Sequence, residues 1–188
     1  YMNTTTIVII VAAVILAWII LAYNGFIRRK NRTDEAWSDI DVQLKRRYNL
    51  IPNIIEAVKG YAKHEKSVLE EVTKARTEAM NAEGTGNVGE VGKTENMLSG
   101  ALKTLFAVAE NYPDLKANAN FLDLQRELAD TENKIQAARR FYNTNVRDLN
   151  TLIESFPYNI IANLFHFSKR DFFELENEKQ REVVKVSF

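Results

Sequence analysis

GTGNVGEVGKT, residues 84–94, is the stretch on which the fold turns. Gly84, Gly86 and Gly89 complete a G-x-G-x-x-G pattern. The same run falls one residue short of G-x-x-x-x-G-K-[ST], because Asn87 stands where that motif needs its first glycine before Gly92, Lys93 and Thr94. Either motif would make this an α/β protein, since both need a β-strand feeding the glycines and a helix N-terminus receiving phosphate. The preceding residues, EEVTKARTEAMNAE, have helix-forming composition and no strand pattern. The acidic residue expected about twenty positions later has no second strand to carry it. The stretch therefore predicts a connector between helices over 84–93 and no nucleotide site. A nucleotide-binding signalling enzyme is the rival reading.

Outward from this run, strong breakers are scarce. The 188 residues contain three prolines and seven glycines, four of those glycines inside the run, as a mostly helical chain requires. Lys plus Arg number 25 and Asp plus Glu number 25, a balance that argues against a general nucleic-acid binder. Cysteine is absent, which excludes disulfides and thiolate metal sites.

Residues 7–23, IVIIVAAVILAWIILAY, carry no charge. As a helix they reach roughly 25 Å, and their flanks extend this to about bilayer thickness. Ile7, Val11 and Ile15 would face lipid, with Trp18 and Tyr23 toward one interface. Arg28, Arg29, Lys30 and Arg32 follow at once, and nothing basic precedes. A cleaved signal peptide has the opposite order. The expectation is a single-pass membrane anchor, N-terminus outside and helical domain in the cytoplasm.

Beyond the anchor, Trp37, Ile40, Leu44, Tyr48, Ile51, Ile54 or Ile55, Val58, Tyr61 or Ala62, Leu69 and Val72 recur at helical spacing. Pro52 predicts a kink or restart near Leu50, with helix resuming to about Ala82. Leu98, Ala101 or Leu102, Leu105 and Val108 or Ala109 predict a shorter helix ended by Tyr112-Pro113-Asp114. Phe121, Leu124, Leu128, Thr131, Ile135, Ala138, Tyr142, Asn145, Leu149, Leu152 and Phe156 alternate threes and fours, a heptad seam closed by Pro157. Its polar members, Thr131 and Asn145, are expected to set register or partner number. The fold class is all-α: an N-terminal transmembrane helix continuing into an antiparallel bundle of three to four long helices. The expected organisation is 1–27 anchor, 28–176 bundle with an aromatic cap over 155–175, and 177–188 tail.

No enzyme chemistry emerges. His64 and His166 lack the Glu three residues earlier that a bundle metal site needs, so no metal and no cofactor is expected. The acidic and basic residues from Asp34 through Arg47 read as solvated helix faces with i,i+4 pairing, or alternatively as inter-subunit pairs. Six aromatics between 156 and 173 read as a lid over one bundle end, or as a protein or membrane-interface contact. Candidate interface residues are Trp37, Arg46 and Arg47 near the membrane, Phe165, Phe172 and Phe173 at the C-terminal end, and Val186 and Phe188 in the tail.

The blocks YNGFIRRKNRTDEAWSDIDVQLKRRYNLIPNIIEAVKGYAKHE, ANANFLDLQRELADTENKIQAARRFYNTNVRDLN, SFPYNIIANLF and the closing KVSF resemble the bacterial LemA family over nearly the whole chain. Val184 occupies a place where that family's tail often has proline. The resemblance implies a single-pass anchor before a helical bundle, with no established enzymatic activity. A relative acts among magnetosome-membrane proteins, and members commonly lie beside membrane proteases in genomes. The functional expectation is a non-enzymatic membrane scaffold that forms a homo-oligomer and shapes or organises the bilayer. The alternative is an adaptor for another membrane protein, such as a quality-control protease.

Overall fold

Residues 3–174 are described by a computed structural model. Val186, Phe188 and the 177–188 tail lie outside them. The described residues form six helices and no strand: α1 (Thr4–Tyr61), α2 (Lys66–Thr85), α3 (Val88–Ala109), α4 (Pro113–Lys116), α5 (Ala119–Glu154) and α6 (Tyr158–Leu164). The all-α class is thus as the periodicity predicts.

Pro52 does not break α1, which runs unbroken for 58 residues. Proline removes the amide hydrogen that would bond the carbonyl four residues back, here that of Tyr48. The Arg76 Nε of α2 donates to that carbonyl at 2.8 Å. A donor from a neighbouring helix replaces the missing one, so the helix continues. The break falls instead at 62–65, where Ala62 seats the last apolar position in the core and the polar Lys63, His64 and Glu65 turn the chain into α2.

The glycine connector is also shorter than the sequence suggests. Gly84 and Thr85 finish α2, and Val88 already starts α3, leaving Gly86 and Asn87 between them. Gly86 caps α2 in the left-handed region at φ 69°, which glycine adopts without steric cost. The Asn87 side chain accepts the Glu90 amide at 3.1 Å, an N-cap for α3. Gly92 lies within α3, where a Cβ would come 2.6 Å from the Glu174 carbonyl oxygen. The stretch therefore records one turn between helices and one close approach to the backbone at Glu174.

The chain divides into two compact units. The first comprises Tyr1–Asp39 and Arg140–Asp171, and the second Ile40–Arg139 and Phe172–Phe188. The expected 27/28 boundary falls inside α1. In the second unit, α1, α2, α3 and α5 pack as a four-helix bundle. Arg46 meets Glu127 while Tyr61 meets Asn118, so α1 and α5 run antiparallel there. In the first unit, Phe26 belongs with Leu149 and Trp37 with Tyr142, again antiparallel.

The α5 seam buries Phe121, Leu128, Thr131, Ile135, Tyr142, Asn145 and Leu149. Its polar pair is satisfied within the helix: Thr131 Oγ1 donates to the Glu127 carbonyl, and Asn145 Nδ2 to the Phe141 carbonyl, both at 2.8 Å. The seam does not reach Phe156, which lies beyond α5 and is 81% exposed.

Candidate functional site

Two arrangements stand out, one in each unit. In the first unit every α1 residue from Thr4 to Ala17 is exposed. Burial begins at Trp18 and Ile19 and becomes complete at Ala22, Gly25 and Phe26. What covers α1 there is the segment around α6. The Phe26 ring stacks on Phe167 at 4.7 Å, Tyr23 meets Phe165 edge-on at 4.9 Å, and Trp18 lies 5.9 Å from Tyr158. Ile161 and Ala162 of α6 join Ala22, Phe26 and Leu149 in one core cluster.

The segment after α6 is fixed by its backbone. His166, at φ 57°, takes the left-handed position that ends α6. The Phe167 amide then bonds back to the Ala162 carbonyl at 2.9 Å, delivering the Phe167 ring to Phe26. Further on, the Asn150 side chain donates to the Arg170 carbonyl and accepts the Arg170 amide, both at 2.9 Å. Arg170 also reaches Asp34 at 2.9 Å, and the Lys169 ammonium pairs with Glu154. The aromatic segment thus packs on α1 itself, where a lid over a bundle end was expected.

Arg28 and Lys30 are exposed, and Arg32 lies over the Phe141 ring at 5.7 Å. Arg29 donates to the Gly25 carbonyl at 3.4 Å. Trp37 is half-buried, 5.3 Å from Tyr142.

The second unit is built differently. Arg47 is 2% exposed and Glu95 1%. Their ion pair is 2.6 Å long, and Arg47 also donates to Ser99 Oγ at 2.7 Å. Its Nε lies 2.9 Å from Glu132 Oε1, in ionic contact though outside hydrogen-bond alignment. The Tyr48 hydroxyl donates to the other Glu95 oxygen. Burial pushes the Glu95 carboxyl above its usual range, against the pull of Arg47. Burial and the adjacent Glu95 likewise push the Tyr48 hydroxyl up.

A second polar cluster joins α1 to α2. Lys45 lies 2.6 Å from Asp41 and 3.4 Å from Glu83. Burial and a hydrogen bond with Asp41 push Glu83 up to about 7. That same bond, with Lys45, holds Asp41 below its usual value. Arg46 pairs with Glu127 at 3.1 Å on the surface.

These pairings revise the interface candidates. Arg47 and Phe173 are inside the chain and contribute no outer surface, because Arg47 neutralises Glu95 and Phe173 is covered beside Gly92. Arg46, Phe165 and Phe172 keep exposed surface. Sequence reasoning missed Glu95, Tyr48, Glu132 and Arg76. The signal was an Arg and a Tyr at positions of the apolar repeat, where a charge must bring its partner.

The LemA family model matches residues 36–188. The chain belongs to the LemA family. Among similar proteins, "Magnetosome protein MamQ 2" of Paramagnetospirillum magneticum is 25% identical over 182 residues, covering 85% of this chain and 67% of the relative. "Magnetosome protein MamQ" of Magnetospirillum gryphiswaldense is 22% identical over 178 residues, covering 82% and 65%. "Protein LemA" of Metamycoplasma hominis is 30% identical over 141 residues, covering 74% and 63%. This LemA-family chain therefore spans about two thirds of each relative's length. None of these names is that of an enzyme. One stretch of α1 is long and apolar enough to cross a membrane, and it supports membrane association of this LemA-family protein.

Proposed function

We propose that the chain is a non-enzymatic membrane scaffold: residues 7–23 span the bilayer, the helical domain lies on the cytoplasmic side, and the anchored chains self-associate to organise or shape the membrane. The observation that carries this is the bare apolar surface of α1. From Ile7 to Leu16 its large side chains all stay exposed, a surface far too apolar for water. Arg28, Arg29 and Lys30 at its C-terminal end favour the cytoplasmic side.

The route to self-association shifts with the structure. The α5 seam and the Arg47 charge are used within the chain, so neither is free for a second copy. The membrane helix is free. Ala13 and Ala17, four residues apart and both exposed, let two such helices approach closely in lipid. The magnetosome names of the relatives are consistent with a role at an organised membrane.

Single-molecule photobleaching of the full-length protein in native-lipid nanodiscs tests this. Multi-step bleaching that falls toward single steps in Ala13→Leu and Ala17→Leu is the expected result. Single-step bleaching at every protein density overturns self-association. Crosslinking that captures a different membrane protein in preference to a second copy favours the adaptor role instead.

A further inference from the structure

The surface of α6 that faces away from α1 is unexplained by the packing. Ile161 and Ala162 are buried against α1, yet Ile160 is 55% exposed, Leu164 63% and Phe165 44%. Ile160 and Leu164, four residues apart, share one outward face of α6, and Phe156, in the turn just before the helix, is exposed as well. From Ser155 to Phe165 no residue is charged. An exposed apolar stripe on a charge-free segment is costly in water and needs a cover.

We propose that α6 is a membrane-interface helix: its outer stripe of Phe156, Ile160, Leu164 and Phe165 inserts among lipid acyl chains beside α1, at the leaflet on the basic side. The inference rests on the reading that residues 7–23 span the bilayer. Three observations commit the stripe to lipid. It is continuous with the apolar surface of α1, because Tyr158 sits at Trp18 and Phe165 at Tyr23, next to the exposed Ile20 and Leu21. The contacts lie in the last turns of the apolar run, within about 8 Å of its end at 1.5 Å per residue. Trp18, Tyr23 and Tyr158 gather there, the amphipathic rings that favour the headgroup boundary.

The charges agree with that depth. Arg28, Arg29 and Lys30 follow one to two turns beyond Tyr23, where anionic headgroups would lie. Glu154 and Lys169, which bracket the uncharged segment, neutralise each other. Flanking backbone helps at both ends of α6, since the Asn159 amide bonds the Ser155 carbonyl and the Phe167 amide bonds the Ala162 carbonyl. The anchor thus becomes a helix with a shallow wedge at one face, widening the protein in one leaflet only.

The chain has no native cysteine, so single spin labels report cleanly. Full-length protein would carry Ile160→Cys, Leu164→Cys, Leu21→Cys or Lys103→Cys in vesicles of phosphatidylcholine with phosphatidylglycerol. All four side chains are exposed, so labelling disturbs no core packing. Collision with oxygen, which concentrates in lipid, is compared with collision with a water-soluble nickel complex. The expected result is oxygen preference at 160 and 164 matching that at 21, and nickel preference at 103. Nickel preference at 160 and 164 with oxygen preference at 21 overturns the inference while the spanning helix stands. Shielding from both reagents at 160 and 164 also overturns it, because protein, such as a second copy, then covers the stripe. Nickel preference at 21 removes the spanning helix and the inference together.

Discussion

Within the first unit, α1 buries Ala22 and Phe26 among rings and aliphatic chains, and the unit leaves long apolar surfaces bare along α1 and α6. Within the second unit, the same helix buries Arg47 against Glu95, and large exposed apolar side chains are scattered at Val42, Tyr61, Met80, Met97 and Phe172. The contrast teaches which solvent each unit is built for. A bilayer tolerates bare apolar surface and penalises charge. Water permits a charged helix surface, and a buried ion pair is tolerated when its partners offset the lost solvation of the charges. The second unit meets that condition, with Arg47 held by Glu95, Ser99 and Glu132.

The largest lesion should come from breaking that pair. Arg47→Ala leaves Glu95 buried beside Tyr48 without its counter-charge, at a cost of about 3–5 kcal/mol. Denaturant unfolding of the full chain in detergent should show this loss, while a spin label at position 164 keeps its lipid signature. An unchanged midpoint would mean the second unit does not depend on its charges.

Next in size are the glycines. Gly92→Ala puts a methyl 2.6 Å from the Glu174 carbonyl oxygen, a backbone atom, and should cost about 1–3 kcal/mol. Gly84→Ala meets nothing within 4 Å and should be neutral or stabilising by up to about 1 kcal/mol. Equal effects in thermal melts would return the glycine run to a merely flexible connector.

Arg76→Ala should cost about 1–2 kcal/mol, because the Tyr48 carbonyl loses the donor that replaces the proline amide. Pro52→Ala restores an amide donor there, so Arg76→Ala should cost less in that background. A double-mutant cycle without coupling would contradict the repair of α1 by α2.

The smallest effect concerns pH. Glu83 in the folded chain titrates near 7 against an ordinary 4.5, so between these values the folded state holds a proton the unfolded state has lost. Stability from this group is therefore present below 4.5 and lost as pH rises through about 7. Asp41 has the opposite sign: its lowered pKa contributes stability above its ordinary 3.8, lost as pH falls below that. Glu83→Gln keeps a donor for Asp41 without the ionisation, so melting temperature should fall less between pH 4.5 and 7. A steeper fall in the variant would contradict the shared proton.

What was legible in the sequence was whatever repeats locally. The uncharged run of residues 7–23 and the α5 seam from Phe121 to Leu152 state their faces in their own spacing. Long-range compensation was not legible. Pro52 announces a break, and the Arg76 that cancels it lies in the next helix. Arg47 looks like a surface charge until Glu95, 48 residues on, closes over it. The α1–α2 turn carries no proline or glycine at 62–65, so composition gave no sign of it. Phe172 and Phe173 are neighbours with opposite fates, exposed and buried, and nothing in the composition of either distinguishes them.

The central claim, that α1 crosses the bilayer with the helical domain on the basic side, has a direct measurement. Asn3→Cys and Lys103→Cys are exposed positions, introduced singly into a chain free of cysteine and probed in intact cells with a membrane-impermeant thiol reagent. The account predicts labelling at 3 from outside, and labelling at 103 only after the cells are opened. Labelling at 103 in intact cells, or none at 3 until they are opened, would contradict it.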